Sequence, residues 1–513
     1  MSKPLMFSFD IDTRKRPKTG PRENAPFRIL IMGDFSGRGN REGTRDIDRG
    51  AFRVHRVDAE NLDQLMGRIG VEVALPLSGP ESPATTIRFS KLEDFHPDTL
   101  FKLSDIFGAI KEARKKINDP GFFAGTKKER TTEGPGSTPP KPKISAESLL
   151  VSELESNAGL FSDLLNRPAG ERRESASNVN AGLDGLLKQI VSPHVDPDAE
   201  ARKSALKAVD ETTGALMRAL LHYPDFQAVE AAWRGLDYLV SGIETGEELQ
   251  IYLLDISKAQ LAADLCSTDN LADSAIYRLL VEETLGTHGA EPWALVAGQY
   301  TFERRREEVE LLARIAKIAK AAGAPFIAEG GASLLGCKSL SSTPDPGDWK
   351  EAPRENPDRM VWEALRQIPE ASWIGLALPP FLLRLPYGAK TERVESFAFE
   401  ELGGVPEHER YLWGNAGLFC TFLLARSFIE EGWEFRPGSI QEENGFPVHT
   451  YQAAGETVAK PCAGILLTRS AAEAIMENGL MPLLSYKNQD RIRLGRFQSI
   501  SNPPSALSGP WGE

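Results

Sequence analysis

Over residues 221–240, LHYPDFQAVEAAWRGLDYLV, apolar side chains recur every three or four positions. Phe226, Val229, Ala232, Trp233, Leu236 and Leu239 form one continuous helical face, with Asp225, Glu230, Arg234 and Asp237 expected off it. The pattern leaves two readings open, a helix that packs a core and a segment with a role in assembly. The same period predicts helices over 61–69, 99–117, 145–166, 182–191, 199–222, 301–322 and 469–478. In 99–117 the inward face is Leu100, Leu103, Ile106, Phe107 and Ile110. In 301–322 it is Val309, Leu312, Ile315 and Ala319, with Gly323 near a left-handed cap. The run 418–429, LFCTFLLARSFI, is interrupted by Arg426 and too short to cross a bilayer, so it reads as a buried helix.

Short apolar runs bounded by turn residues predict strands at 27–32, 72–77, 85–89, 250–256, 293–297, 325–328 and 373–378. The first of them, FRILIM, runs into Gly33-Asp34-Phe35-Ser36-Gly37, a turn in which glycine supplies a positive φ. Strands alternating with helices imply an α/β architecture. Residues 5–11, LMFSFDI, alternate and read as an edge strand offered to a neighbour. Any period disappears over 121–143, where Gly, Pro, Thr and Lys dominate and too little apolar surface remains to offset the entropy of ordering. The expected organisation is therefore a compact module over 1–120, a flexible linker over 121–144, a helical segment over 145–204, an α/β domain over 205–501 and a flexible tail over 502–513.

Composition narrows the function. At 513 residues the chain is long enough for two or three cores. A net charge of -13 and a pI near 5.3 argue against nucleic acid or an anionic membrane as the main partner. Cys266, Cys337, Cys420 and Cys462 form no CxxC pair, so neither a zinc site nor a disulfide framework is expected, and a reducing compartment fits. The N-terminus has no apolar core of signal-peptide length and no stretch reaches membrane-spanning length, which points to the cytoplasm without membrane insertion.

The chemistry-bearing motifs are weak. In Gly331–Ser339, GASLLGCKS, Cys337 stands between the second glycine and Lys338, where a phosphate-binding loop needs lysine next to glycine. The turn 33–37 offers backbone amides to an anion but lacks a following helix with GxGxxG spacing. The seven histidines show no paired ligand spacing and no GxSxG elbow occurs, although scattered residues leave a Ser/His/Asp site open. No catalytic residue, metal or cofactor is assigned, and a non-enzymatic protein is expected. Arg304, Arg305 and Arg306 read as a solvated helix start or as a contact to a negatively charged partner, where arginine engages carboxylates bidentately. Arg234, beside Trp233, reads as a core-pairing arginine.

Several motifs occur in a telling order. The Trp233-Arg234-Gly235-Leu236 helix resembles the signature of the large (TssC-like) sheath subunit of bacterial type VI secretion. The similarity continues through Val296-Ala297-Gly298-Gln299-Tyr300, with Gln299 where the family has an acidic residue, and then through 324–328, 375–388, 397–401 and Tyr411-Leu412-Trp413-Gly414-Asn415-Ala416. Residues 27–37 with Asp34, Ser36 and Gly37, the run 89–98 and the helix after it resemble the small (TssB-like) subunit. Together they describe a fusion of the two, covering about 25–118 and 205–500.

The resemblance implies a contractile sheath around an inner tube, with other sheath subunits, the tube protein and a baseplate as partners. It also implies a separate disassembly ATPase, whose binding helix in the family sits near where 145–166 lies here. Family large subunits continue past the strand seen here as 482–487, whereas this chain ends soon after it. Sheath protomers interlock through terminal strands, and the Pro/Gly-rich tail is a poor strand. The alternative expectation is accordingly an adaptor, initiator, terminator or baseplate component that does not polymerise alone.

Overall fold

The computed structural model describes residues 25–40, 52–75, 85–118, 199–285, 289, 291–350 and 352–511. The elements expected at 5–11, 121–143, 145–166 and 182–191 lie outside these. In chain order the first stretch supplies β1 (Phe27–Gly33), β2 (Val54–Val57), α1 (Leu62–Ile69), β3 (Val71–Leu75), β4 (Thr85–Phe89), α2 (Pro97–Leu103) and α3 (Gly108–Asn118). The second begins with α4 (Ala199–Leu221), α5 (Pro224–Gly242), β5 (Leu249–Asp255), α6 (Lys258–Cys266) and β6 (Leu295–Phe302). It continues through α7 (Arg306–Ala322), β7 (Phe326–Gly330), α8 (Pro357–Gln367), β8 (Ile374–Leu378), β9 (Phe381–Leu382), β10 (Trp413–Gly414) and α9 (Ala416–Glu431). The last elements are β11 (Glu442–Glu443), β12 (Thr450–Ala453), β13 (Glu456–Ala459), α10 (Arg469–Glu477), β14 (Met481–Ser485) and β15 (Ile492–Leu494).

Nine strands form one sheet in the order β11-β15-β14-β8-β7-β6-β1-β5-β2. The run from β14 to β5 is parallel, and the antiparallel pairs lie at its two ends. A parallel sheet must be covered on both faces, and alternation along β1 shows how this is done. Phe27, Ile29 and Ile31 join a core under α2, α3, α4, α5 and α9, while Leu30 and Met32 join a second core under α6, α7, α8 and α10.

The first stretch, whose sequence reads as a separate compact module, pairs β3 with β4 in a small sheet of its own but gives β1 and β2 to the nine-stranded sheet. β1 lies between β5 and β6, paired with β5 from Phe27↔Leu249 to Gly33↔Asp255. A strand with apolar residues on both faces needs helices on both sides, and the helices on one of those sides come from beyond residue 198. Side-chain contacts extend the union: Phe226 meets Phe89 and Phe95 at 5.8 and 5.7 Å, and Phe101 meets Phe397 at 5.1 Å.

Two helices start differently from their periodicity. Ser104 accepts from the amide of Ile106 and breaks the expected 99–117 helix, so Leu103 is thrown outward and is 71% exposed rather than inward. The expected 301–322 helix begins only at Arg306, because β6 continues after a bulge to pair Thr301 with Glu329 and Phe302 with Gly330. Gly323 does take the left-handed conformation, with φ 69°. Where a flexible tail was expected, Leu507 and Trp511 are buried. Trp511 packs 5.6 Å from Phe435, and the Ser508 amide donates to the Ser372 carbonyl at 2.8 Å. Large apolar side chains anchor a backbone that forms no strand.

Candidate functional site

The carboxyl ends of the parallel strands gather most of the residues singled out in the sequence. Beyond β1, the Asp34 carboxylate accepts the amides of Arg38 (2.8 Å) and Gly39 (2.7 Å). Asp255, at the end of β5, accepts the amides of Phe35 (2.9 Å) and Ser36 (3.0 Å) and pairs with the Arg38 guanidinium. The Ser36 hydroxyl accepts from Arg38 Nε at 2.9 Å. Gly37 has φ +70°, and a Cβ there would lie 2.4 Å from the Glu72 carbonyl oxygen, so glycine is required on two counts.

This turn is fastened to α5. Trp233, with none of its surface exposed, donates from Nε1 to the Phe35 carbonyl at 2.7 Å and sets its ring edge-on to Phe35 at 5.3 Å. Gln299, in the position where the family pattern has an acidic residue, donates to the Ala232 carbonyl at 3.0 Å. Gly235 faces α9 closely, since a Cβ there would meet Leu418 Cδ1 at 2.6 Å. Asn415 caps α9 by accepting the Gly417 amide at 2.9 Å and donates to the Tyr300 carbonyl at 3.1 Å, while Trp413 donates to the His408 carbonyl at 2.8 Å.

Between these groups opens a cleft of about 460 Å³, lined by Asp34, Gly37, Thr301, Glu329, Trp413 and Asn415 among others. It lies where ligands commonly sit in open parallel sheets. Burial raises the Asp34 carboxyl, and the amide of Gly39 only partly offsets this. Burial also lifts Glu329 to about 7, against the hydrogen bonds it accepts from the Ala416 amide and the Thr301 hydroxyl. Among the described residues no group of three or more His, Cys, Asp or Glu is placed to hold a metal.

Arg234 belongs elsewhere, in a buried charge cluster between α5 and residues 384–401. Glu230, expected off the apolar face, is wholly buried. It accepts from Arg234 Nε at 2.7 Å and Arg384 Nε at 2.8 Å, and Arg384 also binds Glu401 at 2.7 Å. Arg234 further donates to the Tyr387 hydroxyl at 3.0 Å, and His222 stands 3.5 Å from Glu401. Burial alone would raise the Glu401 carboxyl, but Arg384 overcomes it and holds the group at about 2. Two carboxylates and two guanidiniums thus cancel out of water. Glu230 and Arg234 at i and i+4 were the only local signal of this cluster; Arg384 and Glu401 lie between 150 and 171 positions away and gave none.

The three consecutive arginines do not join the cleft. The Arg304 amide donates to the Ser333 hydroxyl at 2.8 Å, Arg305 occupies the N-cap position of α7, and Arg306 pairs with Glu310 at 2.9 Å. The 331–339 loop closes on itself as a short 3-10 turn ended by Gly336 in a left-handed conformation, and its Ser333 hydroxyl donates to Glu303.

Comparison with known proteins now bears on these geometries. Residues 203–501 match the family model described as EvpB/VC_A0108, tail sheath N-terminal domain. Residues 9–121 match the model described as Type VI secretion system, VipA, VC_A0107 or Hcp2. The chain is 36% identical over 307 residues to the Type VI secretion system sheath protein TssC1 of Pseudomonas aeruginosa PAO1, a match covering 59% of this chain and 61% of the relative. The chain thus spans about three-fifths of that relative's length. It belongs to the tail sheath family whose N-terminal-domain model it matches.

Proposed function

We propose, from the chain's membership of this sheath family, that it is a structural subunit of a type VI contractile sheath, combining the roles of the small and large subunits in one polypeptide. The supporting observation is the position of β1: a strand from the small-subunit-like stretch is the partner of both β5 and β6 from the large-subunit-like stretch. Neither stretch completes its core without the other, so the sheath's building block is one folded unit. Its proposed partners are further sheath subunits, an inner tube protein and a baseplate, with a separate ATPase acting on the 145–166 segment after contraction. The proposed place of action is the cytoplasm, and the proposed role is mechanical rather than catalytic.

In this reading Asp34, Ser36, Gly37, Trp233 and Gly235 hold β1, α5 and α9 as a rigid block, so that force on one element is carried by all. Trp413 and Asn415 sit at the cleft mouth, and Arg304, Arg305 and Arg306 are the proposed contact to a negatively charged neighbour. The test is electron microscopy of the purified chain, alone and mixed with separate sheath subunits and tube protein. Tubes containing the chain along their length are expected. Particles bound only at the ends of sheaths, or no association, would defeat the reading.

A further inference from the structure

A groove of about 550 Å³ lies between α8, α10 and the 331–349 loop, on the face of the sheet away from α5. Leu334, Trp349 and Trp362 give it apolar walls, and Arg304, Arg359 and Arg366 give it charge. Arg359 is matched by Glu363 at 2.7 Å. Arg366 differs: it is 8% exposed and donates only to carbonyls, Ile500 at 2.9 Å and Glu477 at 3.4 Å. Among the described residues no carboxylate stands within ion-pair distance of it, and Glu363, the carboxylate that bears on it, already holds Arg359. Its guanidinium also lies 6.0 Å from the Trp362 ring, but neither carbonyls nor a ring neutralise its charge, and a nearly buried guanidinium facing a groove favours an anionic partner.

We propose that residues 145–166 of this chain dock in the groove, their carboxylates meeting Arg366 and their apolar side chains meeting Trp349. Charge complementarity selects this segment from the parts of the chain outside the described residues. It carries Glu147, Glu153, Glu155 and Asp163 with no lysine or arginine, among Leu150, Leu154, Leu160 and Phe161. By contrast, 1–24, 41–51, 119–144 and 167–181 carry several lysines or arginines, 182–198 holds Lys188, and 76–84 offers Glu81 as its one carboxylate. Reach is ample. The chain leaves at Asn118 and returns at Ala199, two points held together by Arg202 donating to the Asn118 carbonyl at 3.0 Å. From either point the segment can extend by about 90 Å or more at about 3.3 Å per residue, further than the width of a body this size, about 50–60 Å.

The test titrates a fluorescein-labelled peptide of residues 145–166 into the full chain, whose own segment carries Glu147→Gln, Glu153→Gln, Glu155→Gln and Asp163→Asn to prevent competition. Anisotropy should show saturable binding, weakened at least tenfold by Gln367→Glu and by Arg304→Glu at the groove rim. Arg366→Met should abolish it. Because that variant also loses two carbonyl contacts, the rim variants with unchanged melting curves carry the decision. Absence of binding, indifference to both rim substitutions, or equal binding of a scrambled peptide would each overturn the proposal.

Discussion

Replacing Arg384 with methionine tests whether the buried charge cluster holds this fold together. The guanidinium bridges Glu230 at 2.8 Å and Glu401 at 2.7 Å, and these carboxylates are 0% and 2% exposed. Methionine keeps much of the volume but leaves Glu230 with Arg234 as its one cation and Glu401 with His222 and the Tyr387 amide, and no guanidinium. Removing one partner of a buried pair costs about 3–5 kcal/mol, because the remaining charge is uncompensated. Glu401 gives a second measure: held at about 2 instead of 4.5, it contributes about 3 kcal/mol. Because its folded pKa is depressed, that contribution is present above about pH 4.5 and lost as pH falls toward 2. Urea unfolding of both proteins at pH 7 should show a loss of about 3–5 kcal/mol, shrinking with falling pH as Glu401 of the variant, which burial without Arg384 raises above its ordinary 4.5, protonates. Adding Glu401→Gln should recover part of it, giving a coupling of more than about 1 kcal/mol in the double-mutant cycle. A variant within about 1 kcal/mol of the parent at pH 7, or a difference that ignores pH, would refute the reasoning.

Gly37→Ala should cost about 2–4 kcal/mol in the same assay, combining left-handed backbone strain with overpacking against the Glu72 carbonyl. Gly235→Ala should cost much less, because the clash is with the movable end of Leu418 and alanine gains about 1 kcal/mol of helix propensity. Glu329→Gln should raise the melting temperature at pH 8 and leave it nearly unchanged at pH 4.5. The parent's raised carboxyl favours the fold below about 4.5 and loses up to about 3 kcal/mol as pH passes 7. His408 is held at about 4 by burial and by Lys460, whose ammonium lies 3.0 Å from its Nδ1; Lys460→Met should move its NMR titration upward while burial keeps it below 6.5. Cleavage at a protease site introduced at residue 130 should leave two fragments that co-elute on size exclusion, and separation without denaturant would contradict the shared sheet.

The central strands and the long helices were legible because their period reports burial directly: β1, β5, β7 and β8 lie within two residues of their apolar runs. The failures have local causes. Leu103 follows the helical period of its neighbours, yet a serine side chain that caps the next turn resets the phase at residue 104. Thr301 and Phe302 look like the start of a helix, but their partners in the ladder, Glu329 and Gly330, are set by tertiary pairing that no local window contains. Glu230 is the sharper case. A glutamate on a helix flank is expected in water, and its burial rests on Arg234 together with Arg384, the latter brought 2.8 Å away from 154 positions along the chain. Of the candidate site, the turn 33–37 and the residues of α5 were visible as motifs. Their meeting through the Trp233 to Phe35 hydrogen bond was not, because it depends on which strands neighbour β1.

That neighbour relation also constrains how the chain folds. β5 and β6 are consecutive strands of the second stretch, and a parallel crossover between consecutive strands would ordinarily bring them together. Here they stay apart by one strand width, and the space is filled by β1, whose Ile29, Leu30 and Ile31 pair with β5 on one edge and β6 on the other. A second stretch folded alone would expose two facing strand edges, each a template for pairing with another chain. Two separate polypeptides would have to find this slot by diffusion, whereas one chain supplies β1 at a concentration set by its connection, commonly in the millimolar range for flexible links. Fusion therefore protects the open slot during synthesis: residues 27–33 precede both of their partners in the chain and are present before either edge forms.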